Sequence, residues 1–256
     1  PEKCYEDVHE FRYNNLAQLE DLMARYGDQT AAIMMTPFGH PNHQKMAEPQ
    51  PGFLKGVREL ANRYGAVLVF DEVRTGFRLA MGGAQELYGV TPDMVVLGKG
   101  MANGYAISVV TGKREVMMTA SQKLFISSTF FPNSDGYVAA LKTIEILERD
   151  NVLAKIWEKG GRLMKKIQGI IDKYDVGAEL TGVAPMFYIT FKKDETDTHR
   201  AKRDDFYTQL IRRGIFLHPY HHGYISYRHT EEDLDTTAKA IDEAMAYVKD
   251  KYQNRL

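Results

Sequence analysis

Short unbroken apolar runs punctuate the first half of the sequence: AAIMM at 31–35, AVLVF at 66–70, MVVLG at 94–98 and AISVV at 106–110. Each is too short for a stable helix and lacks the polar alternation of a half-exposed strand, so each predicts a strand covered on both faces. The segments between them have helical period. Residues 15–26 place Leu16, Leu19, Leu22 and Met23 on one stripe before Gly27, and 52–64 place Phe53, Leu54, Val57, Leu60 and Ala61 on another before Gly65. A glycine just past the last periodic residue is a C-terminal cap signal. Strands alternating with amphipathic helices predict an α/β fold, a mostly parallel sheet flanked by helices. From Gly136 to about Tyr174 the pattern is helical, and the remainder, with MFYITF at 186–191, GIFLHPY at 214–220 and a closing helix over 231–252, reads as a smaller C-terminal α+β domain. The expected division is 1–160 and 161–256.

Composition narrows the class of function. With 256 residues, 44% hydrophobic and 26% charged, the chain is long enough to bury a core. A net charge of -1 with the signs mixed gives no electrostatic case for nucleic acid or an acidic membrane surface. No apolar run approaches the ~20 residues that cross a bilayer. The opening PEKCYEDVHE has neither a basic stretch nor an apolar core of the secretory kind. The lone cysteine, Cys4, excludes an internal disulfide framework and a cysteine-rich zinc site and suits a reducing compartment, so a cytoplasmic location is expected.

Two strand ends carry the chemistry. VLVFDEVRTGFR at 67–78 runs into adjacent acids, and PDMVVLGKG at 92–100 runs into one lysine between glycines. Ligands of open parallel sheets bind beyond the carboxyl ends of the strands, which places Asp71 and Lys99 at one rim. An acid and a lysine across a pocket suit pyridoxal phosphate: the lysine forms a Schiff base with the aldehyde while the carboxylate keeps the pyridine nitrogen protonated. Taken alone, Lys99 is an ordinary solvated strand-end lysine; Asp71 is what sets it apart. Glu72 points to the other side of the strand and is expected to be structural, in an ion pair, as is Arg78. Phosphate loops fit less well. Asn103 stands where GxGxxG requires its third glycine, and Ile107 stands where a Walker A motif requires the glycine ahead of Gly112-Lys113. His40 and His43 form one histidine pair and His221 and His222 another, neither with a third ligand at a telling spacing, so no metal is expected.

The pattern DEV-x-T-G-F-R from Asp71, PDM-x-x-x-GK ending at Lys99, and STF at 128–130 followed by Asn133 resembles the class III (fold type I) PLP-dependent aminotransferases. GGAQELYGVTPDMVVLGK at 82–99 is close to the glutamate-1-semialdehyde aminomutase pattern. The likeness covers nearly the whole chain, as far as HTEEDLD at 229–235. It implies that Lys99 is the Schiff-base lysine and the base that moves the substrate proton, that Asp71 binds the pyridinium nitrogen, and that Val73 packs on one face of the ring. Thr129 matches the threonine that gives its hydroxyl to the cofactor phosphate of the neighbouring subunit, which implies a homodimer with the site at its interface. The implied reaction moves an amino group from a small-molecule donor to a carbonyl acceptor. The alternatives are an aminomutase or racemase of the same chemistry, and a non-catalytic binding protein that keeps the PLP fold.

Departures from the family pattern bear on substrate. Thr36 precedes Pro37 where many relatives carry an acid, and GMANGYAIS follows Lys99 in place of the aminomutase's glycine run. HHGYISYR at 221–228 has no arginine in register for an α-carboxylate, Arg228 being displaced, which favours ω-amines, β-amino acids, amino sugars or a semialdehyde-like compound. The phosphate-binding turn and ring-stacking aromatic that the family places earlier have no match here. The chain is therefore expected to be a C-terminal portion of a longer enzyme, with an unpaired sheet edge.

Overall fold

The apolar runs form strands in a computed structural model, which describes residues 3, 5–40, 45–125, 127, 129, 131 and 133–254. Strands β1 (Ala32–Met35), β2 (Val67–Asp71), β3 (Met94–Leu97) and β4 (Val109–Gly112) pair in that spatial order. The first three are parallel, and β4 returns antiparallel to β3. Helix α1 (Leu16–Tyr26) precedes β1, α2 (Phe53–Tyr64) joins β1 to β2, and the short α3 (Gly83–Tyr88) joins β2 to β3. Helices α4 (Arg114–Lys123) and α5 (Ser134–Arg149) follow β4.

Leu19 and Met23 of α1, Phe53, Val57 and Leu60 of α2, and the inward Ile33, Met35, Leu68, Phe70 and Val95 of the strands form one apolar cluster. Helices α1 and α2 cover this face of the sheet, and Ala139, Ala140 and Ile144 of α5 pack with Leu97 and Val109 of β3 and β4. The other face is half-buried, and on the edge strand β1 burial alternates, with Met34 61% exposed. An edge strand lacks a neighbour whose side chains would shield its second face.

Asp93 knots this unit together. Its Oδ2 accepts from Arg58 Nη1 and from the Leu68 amide, each at 2.7 Å, and its Oδ1 pairs with Lys113 Nζ at 2.7 Å. One carboxylate thereby ties α2, β2 and the end of β4. Burial pushes its pKa up, but Lys113, the Leu68 amide and Arg58 outweigh that and hold it below the usual carboxylate value.

The chain parts into two compact units. One comprises residues 1–39 and 49–150, the other 40–48 and 151–256. The boundary expected at 160 falls inside α6 (Val152–Tyr174), whereas the units part just before that helix. In the second unit β5 (Ala178–Val183), β6 (Met186–Phe191) and β7 (Gly223–Tyr224) make an antiparallel sheet in that order, accompanied by α6, α7 (His199–Arg212) and α8 (Glu231–Lys249). Thr230 and Asp233 close a capping box that starts α8. Lys166–Asp235, Arg162–Glu231 at 2.6 Å, and Lys173–Asp242 at 2.8 Å share one sequence offset, so α6 and α8 run parallel and in register. These pairs are solvated and contribute only tenths of a kcal/mol each, on the order of 0.2–1.

Gly160 lets α6 reach the β5–β6 turn, because a methyl group there would overlap the Ala184 carbonyl; its neighbour Gly161 faces open space. Both substitutions to alanine gain the same helix propensity, so their opposite signs isolate packing. Gly160→Ala is expected to cost about 1–3 kcal/mol through overpacking. Gly161→Ala is expected to gain about 0.5–1 kcal/mol. Urea denaturation midpoints of the two variants measure both.

Asp93 makes stability depend on acidity in a defined sense. Its folded value lies below the unfolded 3.8, so its contribution is complete above 3.8 and is lost as pH falls through the lower folded value. Asp93→Asn is expected to flatten the acid limb of a plot of melting temperature against pH and to lower stability at neutral pH. An unchanged acid limb would show that the carboxylate does not carry this dependence.

Candidate active site

Side chains of successive strand residues point to opposite faces, and the end of β2 uses this to separate two adjacent acids. Glu72 turns inward and is fully buried. It takes Thr75 Oγ1 at 2.8 Å, the Ala84 amide at 2.5 Å and the Gln85 amide at 3.0 Å, the last two from the first turn of α3. The expected ion pair is replaced by an amide cradle. Gly83 completes it: its φ of 77° is left-handed, and any Cβ there would overlap the Glu72 carboxylate. Burial pushes the Glu72 pKa up, partly opposed by the Ala84, Gln85 and Thr75 hydrogen bonds. Asp71 points the other way, half-buried, and its Oδ1 accepts from the Val73 amide at 3.0 Å.

Register then brings the lysine alongside. Asp71 pairs with Val96 across the parallel β2–β3 ladder, and the Glu72 amide donates to the Val96 carbonyl at 2.9 Å. Lys99 follows directly after Leu97 and Gly98, so acid and amine leave the carboxyl ends of adjacent parallel strands at the same rim. Val73 lies at that rim too, since a Cβ on Gly98 would sit 3.8 Å from Val73 Cγ1. The Lys99 side chain is exposed, and its backbone is left-handed with φ 43°. That conformation costs a side-chain-bearing residue about 1–2 kcal/mol. The 3-10 turn Lys99–Ala102 holds it, with Met101 and Ala102 buried and the Met101 amide donating to the Gly98 carbonyl at 3.0 Å. Strain maintained by surrounding packing is a recurrent property of functional positions.

Asp71, Val73 and Lys99 thus all lie at the carboxyl ends of β2 and β3. Thr129 is exposed, and among the described residues no hydrogen bond ties it to the other three; its neighbours Ser128 and Phe130 lie outside them. Thr36 Oγ1 donates to the Phe38 carbonyl at 3.1 Å, and Arg228 is exposed. His43 lies outside the described residues, but His40 packs against His221 and His222 of the second unit, an arrangement that pair spacing in the sequence does not disclose.

Comparison with known proteins identifies the family. The Aminotransferase class-III profile matches residues 3–250. The 3-aminobutyryl-CoA aminotransferase of Cloacimonas acidaminovorans (strain Evry) is 52% identical over 249 residues, covering 97% of this chain and 60% of the relative. A glutamate-1-semialdehyde 2,1-aminomutase of Desulforudis audaxviator (strain MP104C) is 34% identical over 246 residues, covering 92% of this chain and 56% of its own. Among solved structures, the FumI protein of Sphingopyxis sp. MTA144 in a PLP form superposes with TM-score 0.88 at 28% identity, over 96% of this chain and 58% of that one. An omega-transaminase from Sphaerobacter thermophilus gives TM-score 0.88 at 25% identity, over 97% and 59%. The chain spans about 60% of the length of the curated relative most similar among these. It belongs to the class III aminotransferase family.

Proposed function

We propose that the protein is a pyridoxal-phosphate-dependent aminotransferase in which Lys99 anchors the cofactor and moves the substrate proton, Asp71 holds the ring nitrogen and Val73 packs on one face of the ring. The observation that carries this reading is the arrival of a carboxylate and an amine at one rim from adjacent parallel strands, with Val73 beside the residue that precedes the lysine. An acid for the pyridine nitrogen, an amine for the aldehyde and an apolar wall for the ring are the groups this cofactor needs, so the residues present fit it. When bound, pyridoxal phosphate supplies an electron sink for the pair released at the carbon bearing the amino group. Asp71 would accept a hydrogen bond from the ring N–H and keep that proton in place. Lys99 Nζ would anchor the aldehyde and serve as the base for the proton on the substrate carbon. The PLP form of FumI, at 28% identity, supports the cofactor assignment.

The donor class we propose is a 3-aminoacyl thioester, with a carbonyl compound as acceptor. Two things support it: the relative named 3-aminobutyryl-CoA aminotransferase at 52% identity, and the lack of an arginine in register for an α-carboxylate around His221 to Tyr227. The aminomutase reading is supported by the 34% identical relative of that name and differs in needing no separate acceptor. Thr129 is assigned to the phosphate of the neighbouring subunit's cofactor in a homodimer. The dimer is supported by large apolar side chains left in solvent on the first unit, Phe125 at 94%, Leu141 at 70% and Val138 at 66% exposure. The lone cysteine supports a cytoplasmic location.

Borohydride reduction of the full-length protein with PLP, followed by peptide mapping, is expected to leave a stable pyridoxyl group on Lys99. Lys99→Ala is expected to abolish the visible cofactor absorbance and to slow turnover by about 10³-fold or more, the upper range for losing a positioned proton-transfer group. No adduct in folded protein would sink the enzyme reading in favour of a non-catalytic one. Product formed without added acceptor would favour the aminomutase.

The dimer makes a separate expectation. Leu141→Asp puts a charge into the proposed interface and is expected to yield a species of half the mass in analytical ultracentrifugation. Unaltered mass in both proteins would place the interface elsewhere.

A further inference from the structure

We propose that His40, His221 and His222 form a binding site for a single divalent transition-metal ion of the zinc class, independent of the cofactor chemistry above. One ligand nitrogen from each of the three residues lies within 4.8 Å of the other two. Zinc bound tetrahedrally at ~2.0–2.1 Å from each imidazole nitrogen needs those nitrogens about 3.3 Å apart, so closure takes about an ångström of side-chain rotation. The rings are disposed for it. His221 and His222 lie face to face with centroids 4.2 Å apart, and His40 meets both edge-on at 5.5 and 5.7 Å. His222 is buried and the other two are half-buried, which limits competition from water.

The surroundings resemble an outer shell as much as the triad resembles a ligand set. Metal-bound histidines usually engage their second ring nitrogen with a carbonyl, a carboxylate or another fixed polar group, which sets the tautomer and the ring plane. His221 Nδ1 lies 3.0 Å from the His222 carbonyl oxygen, leaving Nε2 to carry the lone pair. His222 Nε2 lies 2.7 Å from the Tyr224 hydroxyl, which points to Nδ1 as its metal-facing atom. Three imidazoles without a carboxylate or thiolate suit zinc, nickel, cobalt or copper and are wrong for the oxygen-seeking calcium and magnesium. A three-histidine set also leaves a fourth position for water or an exchangeable ligand.

The site has a structural consequence within its own unit. Segment 40–48 belongs to the second unit although the chain on either side of it belongs to the first. Its tethers there include the Met46 amide to Thr181 Oγ1 at 3.1 Å and the solvated Lys45–Glu179 pair at 3.5 Å. A metal on His40, His221 and His222 adds a further tether, which clips the segment to the chain entering β7. This departs from the expectation of no metal, because His40, the residue that completes the His221–His222 pair, is far away in sequence.

The test uses full-length protein with any affinity tag removed, stripped by a chelator and freed of unbound PLP. Calorimetric titration with zinc is expected to show one ion per chain at micromolar affinity or better, and zinc is expected to raise the melting temperature. His40→Ala and His221→Ala, with His40→Gln as a milder change, are each expected to weaken binding at least tenfold and to remove the thermal shift. Tyr224→Phe is expected to weaken binding by 10- to 100-fold, as loss of an outer-shell partner does. Cobalt bound in place of zinc is expected to give the intense visible bands of a tetrahedral site. Failure of the unaltered protein to bind zinc at micromolar concentration overturns the proposal without reference to any variant. So does binding that survives in folded His40→Gln and His221→Ala proteins, which would mark it as adventitious.

Discussion

The buried carboxylate of Glu72 governs the geometry on which the candidate site depends. A carboxylate removed from water is costly unless its oxygens are satisfied, and here a hydroxyl and the first amides of α3 satisfy them. Those bonds draw the start of α3 back against the end of β2, so residues 72–85 form a closed turn. Asp71, one residue earlier, faces the opposite side by strand alternation alone. Of two adjacent acids one is consumed by the fold and the other is presented at the rim. The glycine at 83 belongs to the same device, since both its left-handed backbone and the carboxylate against its α-carbon exclude a side chain.

From Asp71 the position of Lys99 follows by register. The β2–β3 pairing fixes Asp71 opposite Val96, and Gly76 reinforces it, because a Cβ there would overlap the Leu97 side chain. A slip of one residue would turn Asp71 toward the core cluster and displace Lys99 along the strand. Asp93 guards against that slip. It starts the β3 segment while binding the Leu68 amide of β2 and Arg58 of α2, so strand, neighbour and covering helix are aligned by one charge. The buried acids of this unit therefore act as alignment points, and Asp71 and Lys99 at the rim inherit their placement from them.

Much of this was legible in the sequence because its physics is local. MFYITF forms β6 (Met186–Phe191) residue for residue, and the stripes ending at Gly27 and Gly65 form α1 and α2 to within a residue of the expected ends. AISVV misled: the strand starts at Val109 and continues through Thr111 to Gly112. Its position is set by long-range pairing, where Gly112 admits the Asp93 carbonyl against its α-carbon, and apolar content does not report that. The helical pattern running through residue 150 likewise hides the break at Asn151, whose left-handed φ of 48° separates α5 from α6. The common rim of Asp71 and Lys99 was readable because one ends an apolar strand and the other follows the next one closely. The Glu72 cradle and the approach of His40 to His221 were not, because both join residues whose separation no periodicity encodes.

The sequence of the ring-rich segment 218–227 bears on the proposed donor through what its polar side chains can and cannot do. A carboxylate on the donor calls for a guanidinium fork, which no phenol or imidazole reproduces. Two arginines near the ring-rich segment are otherwise disposed. Arg228 is exposed, and the buried Arg203 lies over the Tyr220 ring at 4.4 Å. What the segment offers outside the histidine cluster is His218 and Tyr227, side chains able to form single hydrogen bonds. A thioester carbonyl carries no net charge and asks for no more than that. The absence of an arginine in register, a defect if the donor were an α-amino acid, is therefore what the proposed 3-aminoacyl thioester would require of this surface.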